Sequence, residues 1–402
     1  MENGHTKGPC FRVRDAATGK PLPRTTVSLD LERLGRTDAQ GELRVGGSWI
    51  DAAIGGYHYV VAFHSFRYKP HFLRIASPVL NGVEAVVEIG MEPSPDPPQG
   101  GVGWGLQAIR GPWDAGKIRR PVRVGVLDVG VDRGHPCLKV VDGVSVCAGK
   151  RRGRGPGVGW SHGTACAGII GGFLRHGQGV LGVVPGTELA DIDVFDGRTL
   201  DAPSWAIRDG VQWAIDHGVD VINLGIGSPR PQAEEENAYR RAWEAGIVLV
   251  APTGNTDIPG QSVLFPAAYP YTIAVTAIGR AEDKSLDPQS AVDRTGRWFF
   301  PTFNCCGPEV DLAAPGVEIC SVVPVLEDGQ IYYESGSGTS EAASFVTGAA
   351  AAVLAAHPEL TRALGPETPE TVRRMLRSAA VPMGFNSQWE GAGLLGLGGI
   401  PW

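Results

Sequence analysis

Three residues of the chain have the types that nucleophilic acyl transfer requires: Asp128, His162 and Ser340. A serine hydroxyl is a weak nucleophile until a base removes its proton. A histidine can be that base and can return the proton to a leaving amine, while an aspartate fixes the histidine tautomer and stabilises the imidazolium. The three residues therefore predict a serine nucleophile that is activated by a histidine and an aspartate.

Each of the three residues lies at the boundary of a predicted element. Asp128 ends the apolar run VRVGVLD, and in α/β sheets chemistry collects at the carboxyl ends of strands. His162 begins the small-residue stretch HGTACAGIIGG, and a helix N-terminus there favours a neutral imidazole. Ser340 begins SEAASFVTGAAAAVL, where a serine is also an ordinary helix N-cap, so that local sequence alone leaves both roles open.

The elements around these residues predict the fold class. Beyond residue 103, predicted strands in which apolar and polar residues do not alternate are separated by helical stretches. The strands are VRVGVLDVG, ELADIDVF, VDVINLGIG, GIVLVAPTG, YTIAVTAIG and VDLAAPG. Strands of this kind are buried on both faces. We therefore expect an α/β domain, in which a mostly parallel sheet is covered by helices.

The motifs of this domain resemble those of the subtilisin-like serine proteases, the subtilases. The resemblance covers residues 103–397 and rests on WGLQAI, VGVLDVGVDRGHPCL, SHGTACAG, LGVVPGTEL, VDVINLGIGS, IVLVAPTGN, FPAAYPYTIAVTA, VDLAAPG, SGTSEAASFVTGAAA and GAGLL, in that order. The chain order Asp, His, Ser is also that of subtilisin, and differs from the chymotrypsin and α/β-hydrolase orders. The resemblance implies a subtilisin-like fold and a catalytic triad of Asp128, His162 and Ser340.

The resemblance also implies roles for residues that the local sequence does not single out. Asn255, which by itself could simply tolerate a turn, corresponds to the side-chain donor of the subtilase oxyanion hole. Two strand edges would bind an extended substrate by strand addition. Their residues are Asn223, Leu224, Gly225, Ile226, Gly227, Pro252, Thr253 and Gly254.

Several positions depart from the usual subtilase pattern. Glu341 replaces the methionine after the nucleophile; it either complements the helix dipole or faces the cleft and favours basic substrate groups. Cys166, one turn after His162, is either a packed small residue or a thiol that makes the site sensitive to thiol reagents. None of the departures removes a triad or oxyanion residue, so we expect activity with altered specificity or rate.

The part before this domain has a different pattern. After a tail at residues 1–8, residues 9–93 alternate apolar and polar in short runs and predict a small β-sandwich. The stretch VRDAATGKPLPRTTVSLD resembles the carboxypeptidase-regulatory-like (transthyretin-like) domains, which serve as accessory or interaction modules. Residues 94–102 include SPDPPQGG, a proline- and glycine-rich linker, so that the catalytic domain would be residues 103–402.

Composition limits the partners and the setting. The net charge of −7 argues against nucleic acid, and no apolar run approaches a membrane span. The opening MENGHTKGPCFRVRD lacks the apolar segment of a secretory signal, which favours a cytoplasmic location. The seven cysteines contain no CxxC pair; Cys137 and Cys147 could bridge only in an oxidising compartment. No cofactor is required, and a structural calcium ion, common in subtilases, has no assigned ligands.

The resulting prediction is a serine endopeptidase of restricted specificity, such as one that processes a precursor peptide or protein. Its partner would be a peptide or protein substrate, recruited by the N-terminal β-sandwich. Two alternatives stay open from the sequence: a binding or scaffold protein with a protease fold and little activity, and an enzyme that passes the acyl group to an amine in ligation or cyclisation.

Overall fold

The computed structural model of the chain describes thirteen stretches of residues. They are 7–23, 25–29, 32–46, 58–64, 71–76, 86–91, 101–111, 118–147, 162–196, 201–256, 260–287, 289–325 and 331–400.

The described N-terminal residues form strands in two sheets. The strands are β1 (Lys7–Asp15), β2 (Thr26–Leu29), β3 (Glu32–Arg36), β4 (Glu42–Gly46), β5 (His58–His64), β6 (His71–Ala76) and β7 (Val86–Met91). One sheet has the order β4-β1-β7 and the other β3-β2-β5-β6. In β1 the side chains alternate as predicted, since Phe11 and Val13 are buried whereas Arg12 and Arg14 are not. The face-to-face sandwich and the linker at residues 94–102 stay predictions.

A large, mostly parallel sheet follows. Its strands are β8 (Arg123–Asp128), β9 (Val140–Ser145), β10 (Glu188–Asp193), β11 (Val221–Leu224), β12 (Val248–Pro252), β13 (Thr272–Arg280), β14 (Ala291–Val292), β15 (Trp298–Phe300) and β16 (Val310–Pro315). The strand order is β14-β15-β13-β12-β11-β8-β10-β9, with β16 also paired to β13. All pairs are parallel except β13–β15 and β14–β15. A separate antiparallel pair is β17 (Ile319–Val323) with β18 (Tyr332–Gly336).

Helices accompany this sheet. They are α1 (Trp104–Ala108), α2 (His162–Gly171), α3 (Ser204–Asp216), α4 (Ala233–Glu244), α5 (Thr339–Ala356), α6 (Glu367–Ala379) and α7 (Ser387–Glu390), with short 3₁₀ turns at Ala281–Leu286, Arg362–Leu364 and Leu397–Gly399. Helices α2, α3 and α4 account for helical stretches that the sequence predicts between the strands, α2 being the small-residue helix that begins at His162. The prediction of a mostly parallel sheet with helices is therefore confirmed.

Both faces of the sheet are buried, which explains why its strands do not alternate. In β12, Val248 and Val250 join the hydrophobic cluster that contains residues of α2 and α5. Leu249 and Ala251 join the opposite cluster, which contains residues of α3 and α4. Because successive side chains of a strand point to opposite faces, apolar cover on both sides requires an unbroken apolar run.

Helix α5 lies in the core because its side chains are small. At Gly348, a Cβ atom would come 2.5 Å from the Cβ of Val183, so the close approach requires glycine. Among the described residues, α5 is the one helix long and apolar enough to cross a membrane, with a mean hydropathy of 1.2. From the sequence we had expected no apolar stretch of membrane-spanning length. However, 83% of this stretch is buried inside the protein, and core helices pass the same test.

Candidate active site

Asp128 is the last residue of β8 and lies at the carboxyl edge of the sheet. Its side chain is fully buried. One carboxylate oxygen, Oδ1, accepts the backbone N–H of Val129 at 2.6 Å. Both oxygens lie close to Nδ1 of His162, at 2.9 and 2.8 Å. The strand therefore supplies a buried carboxylate whose one side-chain hydrogen-bond partner among the described residues is the imidazole.

The bond between these residues fixes the histidine tautomer. An ionised carboxylate only accepts hydrogen bonds, so Nδ1 of His162 carries the proton and donates it to Asp128. In the neutral ring, Nε2 then holds the free lone pair. The side chain of His162 is 30% exposed, whereas that of Asp128 is 0% exposed. The imidazole therefore presents its basic nitrogen away from the buried carboxylate, as a general base requires.

The surroundings of His162 determine its charge. Burial lowers the pKa of the imidazole, but the carboxylate of Asp128, through its charge and its hydrogen bond, outweighs burial. Glu341 and Glu334 add to the effect, and together these carboxylates raise the pKa to about 9. This is opposite to the neutral imidazole that we expected from the helix N-terminus alone. Three negative charges act on the ring, and their sum exceeds the effect of the helix end.

Gly225, which directly follows β11, packs against the same carboxylate. Its N–H donates to the carbonyl of Leu127 at 2.9 Å. A Cβ atom built on Gly225 would collide with Oδ2 of Asp128. The absence of a side chain at Gly225 is therefore required by the position of Asp128. We had assigned Gly225 to substrate binding, and the structure gives it this second role.

Ser340 is the second residue of α5, after the extended Gly338 that precedes the helix. The carbonyl of Ser340 accepts the hydroxyl of Ser344 at 2.9 Å. Ser344 in turn is hydrogen-bonded to the thiol of Cys166 in α2. The N-terminal halves of α2 and α5 therefore lie side by side. This packing brings the residue after Ser340, Glu341, close enough for its charge to act on His162.

Asn255 follows β12 and is exposed, and its side chain is oriented by the residue before Ser340. Oδ1 of Asn255 accepts both the backbone N–H and the hydroxyl of Thr339, each at 3.0 Å. A backbone N–H needs an acceptor, so the amide atom that faces Thr339 must be the oxygen, Oδ1. The amide nitrogen, Nδ2, then points to the opposite side and can donate hydrogen bonds there. Nδ2 lies beside Gly338, whose Cβ atom, if present, would be 2.8 Å away.

Thr339 is a site residue that our sequence analysis missed. Besides its bonds to Asn255, its hydroxyl oxygen accepts the N–H of Gly254 at 3.2 Å. Thr339 thus joins the loop after β12 to the first turn of α5. Its position immediately before the candidate nucleophile is the only local signal that could have identified it.

The residues predicted to bind substrate divide into buried and accessible ones. Asn223 and Leu224 are buried, and Oδ1 of Asn223 accepts the hydroxyl of Thr347 in α5 at 2.8 Å. The buried members also include Ile226, Pro252, Thr253 and Gly254, while Gly225 is half-buried and Gly227 exposed. Leu264, which we had not singled out, packs against both Gly227 and Gly254.

Cys137, which the sequence left as a candidate partner of Cys147, forms no disulfide bond within the described residues. Cys166 is buried, and burial raises the pKa of its thiol well above the usual value, which favours a packed, unreactive thiol. Within the described stretches, Asp128, His162 and Cys166 are the one group with three potential metal-ligating atoms, within 4.8 Å of one another. This set contains sulfur and nitrogen, whereas calcium binds oxygen, so the calcium expectation finds no ligands there.

Comparison with known proteins identifies the family of the chain. The model of the subtilase family, Peptidase S8, matches residues 119–394. Subtilisin from Bacillus pumilus is 35% identical over 300 residues, which are 74% of this chain and 97% of that protein. Subtilisin E from Bacillus subtilis (strain 168) is also 35% identical over 300 residues, 74% of this chain and 70% of that protein. Subtilisin Savinase from Lederbergia lenta is 31% identical over 296 residues, 73% and 96% of the two chains.

Proposed function

Because the chain belongs to the subtilase family of serine peptidases, we propose that it is a serine endopeptidase with Ser340 as nucleophile, His162 as base and Asp128 as the orienting carboxylate. The observation that carries the proposal is the bond from Nδ1 of His162 to the buried Asp128. That bond leaves Nε2 as the basic nitrogen, on the helix that lies beside the helix of Ser340.

In the acylation step, Nε2 of His162 removes the proton of the Ser340 hydroxyl as Oγ attacks the scissile carbonyl carbon. The carbonyl oxygen becomes an oxyanion that accepts Nδ2–H of Asn255 and the backbone N–H of Ser340. The carbon–nitrogen bond then breaks, and His162 gives its proton to the leaving amine. Asp128 stays ionised and stabilises the imidazolium during this step.

In the second step, water attacks the acyl-enzyme. His162 takes one proton from the water, the ester bond to Ser340 breaks, and the proton returns to the Ser340 oxygen. The acid product leaves, and the enzyme is restored. The same acyl-enzyme could react with an amine, which is why ligation is an outcome that the test below distinguishes from hydrolysis.

Product mapping on a peptide library tests this proposal. The full chain is incubated with the library, with and without an added amine, and the products are identified by mass spectrometry. We expect hydrolysed peptides from the wild type and from Ser337→Ala, a nearby exposed serine, but not from Ser340→Ala. Equal cleavage by Ser340→Ala would contradict the proposal. No cleavage by any form would favour the scaffold role, and amine adducts without hydrolysis would favour ligation.

We propose further that the substrate range is restricted and that the N-terminal strands recruit the substrate. The support is that two small sheets precede the large sheet in the sequence, and that none of the proposed catalytic residues belongs to them. Deletion of residues 1–95 should then reduce cleavage of a native substrate far more than hydrolysis of a small peptide ester. Equal losses in the two assays would contradict recruitment.

The proposed setting is the cytoplasm. The support is that Cys137, Cys166 and Cys320 are free thiols, which is the usual state of cysteines in a reducing compartment. Mass spectrometry of the native protein after alkylation in denaturant should find these three cysteines modified. Disulfide-linked peptides in freshly isolated protein would contradict this setting.

A further inference from the structure

Glu341 lies immediately after the candidate nucleophile, in the first turn of α5, and its side chain is half-buried. The carboxylate lies against the backbone of two glycines. A Cβ atom on Gly336 would collide with Oε1, and one on Gly338 would be 3.0 Å from Oε2. The carboxylate therefore occupies space that side chains at these two positions would otherwise fill.

Within the described part of the chain, the carboxylate of Glu341 has no lysine or arginine side chain as a partner. The groups whose charges act on it are His162, Glu334 and Asp128, two of which are negative. Burial raises the pKa of the Glu341 carboxyl, whereas the imidazole of His162 lowers it. A half-buried carboxylate with this environment would be stabilised by an added cation.

Helix capping alone does not account for this arrangement. A carboxylate in the first turn complements the helix dipole, and Glu341 does accept its own backbone N–H. Glu367 fulfils the same dipole role at the start of α6, but it is exposed to solvent. The dipole needs no burial and no nearby histidine, so these two features of Glu341 call for another explanation.

The side of the site on which Glu341 lies follows from the proposed chemistry. His162 gives its proton to the leaving amine, so the leaving part of the substrate must lie next to the imidazole. Glu341 is next to Ser340 in sequence and acts on the same imidazole. The strand edges that we assigned to substrate binding end β11 and β12, whereas Glu341 lies against the last residue of β18 and the chain that follows it.

We propose that Glu341 is a specificity-determining residue, which binds a lysine or arginine side chain at the substrate position directly after the scissile bond. The inference rests on the proposed function, since it requires a peptide whose amine half leaves past His162. A cationic side chain there would reach the carboxylate by replacing part of its water. Glu334 on β18 would add negative charge to the same side of the site.

The test uses quenched fluorescent peptides that differ only in the residue after the scissile bond: lysine, norleucine or glutamate. We measure kcat/KM for the wild type and Glu341→Gln in the full chain at one pH. The wild type should prefer lysine to norleucine by about tenfold, which is the scale of one partly desolvated charge pair. Glu341→Gln should cleave the two peptides at similar rates. Because each preference is a ratio within one enzyme, altered titration of His162 cancels.

The matched control is Glu367→Gln, which removes an exposed first-turn carboxylate and should keep the wild-type preference. The inference would be overturned if Glu341→Gln kept the lysine preference of the wild type, or if the wild type had no such preference. In both cases continued hydrolysis would leave the proposed function intact. If the wild type cleaved no peptide and its serine did not react with a fluorophosphonate, the proposed function would fail, and this inference with it.

Discussion

The carboxylate of Asp128 and the imidazole of His162 meet at 2.8 Å, although the two residues belong to a strand and a helix separated by 33 intervening positions. The carboxylate is fully buried and the ring is partly exposed. A buried anion that has one imidazole as its side-chain partner holds the imidazolium form strongly. This pair determines both the orientation and the charge of the proposed base.

Replacement of Asp128 by asparagine keeps the shape of the side chain but removes its charge. The amide can donate to Nδ1, which would favour the tautomer with the proton on Nε2 and remove the base. We expect kcat to fall about 10⁴-fold, with a small change in KM. Steady-state kinetics on one peptide ester checks this. A loss below tenfold would mean that Asp128 does not orient the base.

The pH dependence of activity follows from the pKa of His162. The base must be neutral, and its pKa is raised to about 9. The value of kcat/KM should therefore rise with pH and level off above about 9. Glu341→Gln removes one of the charges that raise this pKa, so its profile should move to lower pH. A profile with the same midpoint in both proteins would show that Glu341 does not act on His162.

The same shift predicts how stability depends on pH. The pKa of His162 is raised from 6.5 to about 9 in the folded protein. The folded state then binds a proton more strongly than the unfolded state, so this stabilisation is complete below pH 6.5 and is lost as pH rises through about 9. Urea midpoints of the wild type should fall across this window more than those of His162→Gln. Parallel curves would contradict the shift.

The contact of Gly225 with Asp128 predicts a sharp difference between two glycines. Gly225→Ala places a Cβ where Oδ2 of Asp128 lies, so the carboxylate must move away from His162. We expect a loss of activity of at least about 10²-fold, because small displacements of catalytic groups are costly. Gly103→Ala is the control, since no atom of the described residues lies within 4 Å of its Cβ position and Asp128 stays in place. Equal activities of the two variants would contradict this role.

Thr339 should affect catalysis through Asn255. Thr339→Val removes the hydroxyl that bonds Oδ1 of Asn255 and the N–H of Gly254. Asn255→Ala removes the proposed oxyanion donor and should lower kcat by about 10²–10³-fold. If Thr339 acts by holding Asn255, the double variant should be little worse than Asn255→Ala alone. Effects that simply multiply would mean that the two residues act independently.

The local pattern of apolar and small residues in the sequence predicted the features that one segment determines by itself. The unbroken apolar run of β12 follows from cover on both faces, and the small residues of α5 follow from its place in the core. The order of Asp128, His162 and Ser340 was enough to suggest their roles. The electrostatic effect of Glu341 on His162 was not readable locally, because it depends on the packing of α2 against α5.

The features that sequence reasoning missed all involve contacts between distant segments. Thr339 orients Asn255 across 84 positions, and Gly225 is fixed by a carboxylate on the neighbouring strand. The charge of His162 was expected in the wrong direction, because in the folded chain the carboxylate of Asp128, with smaller effects from Glu341 and Glu334, outweighs burial and raises the pKa of the imidazole. Electrostatic effects between residues far apart in the chain, and close contacts between distant segments, leave no local pattern in the sequence.

The central claim, that Ser340 is a nucleophile activated by His162, is tested most directly by a fluorophosphonate probe with peptide mapping. The probe reacts with an activated serine and leaves one adduct per molecule. We predict a single adduct on Ser340 in the wild type, strongly reduced labelling in His162→Gln, and none in Ser340→Ala. A wild type that takes up no probe, or that carries the adduct on another serine, would contradict the account.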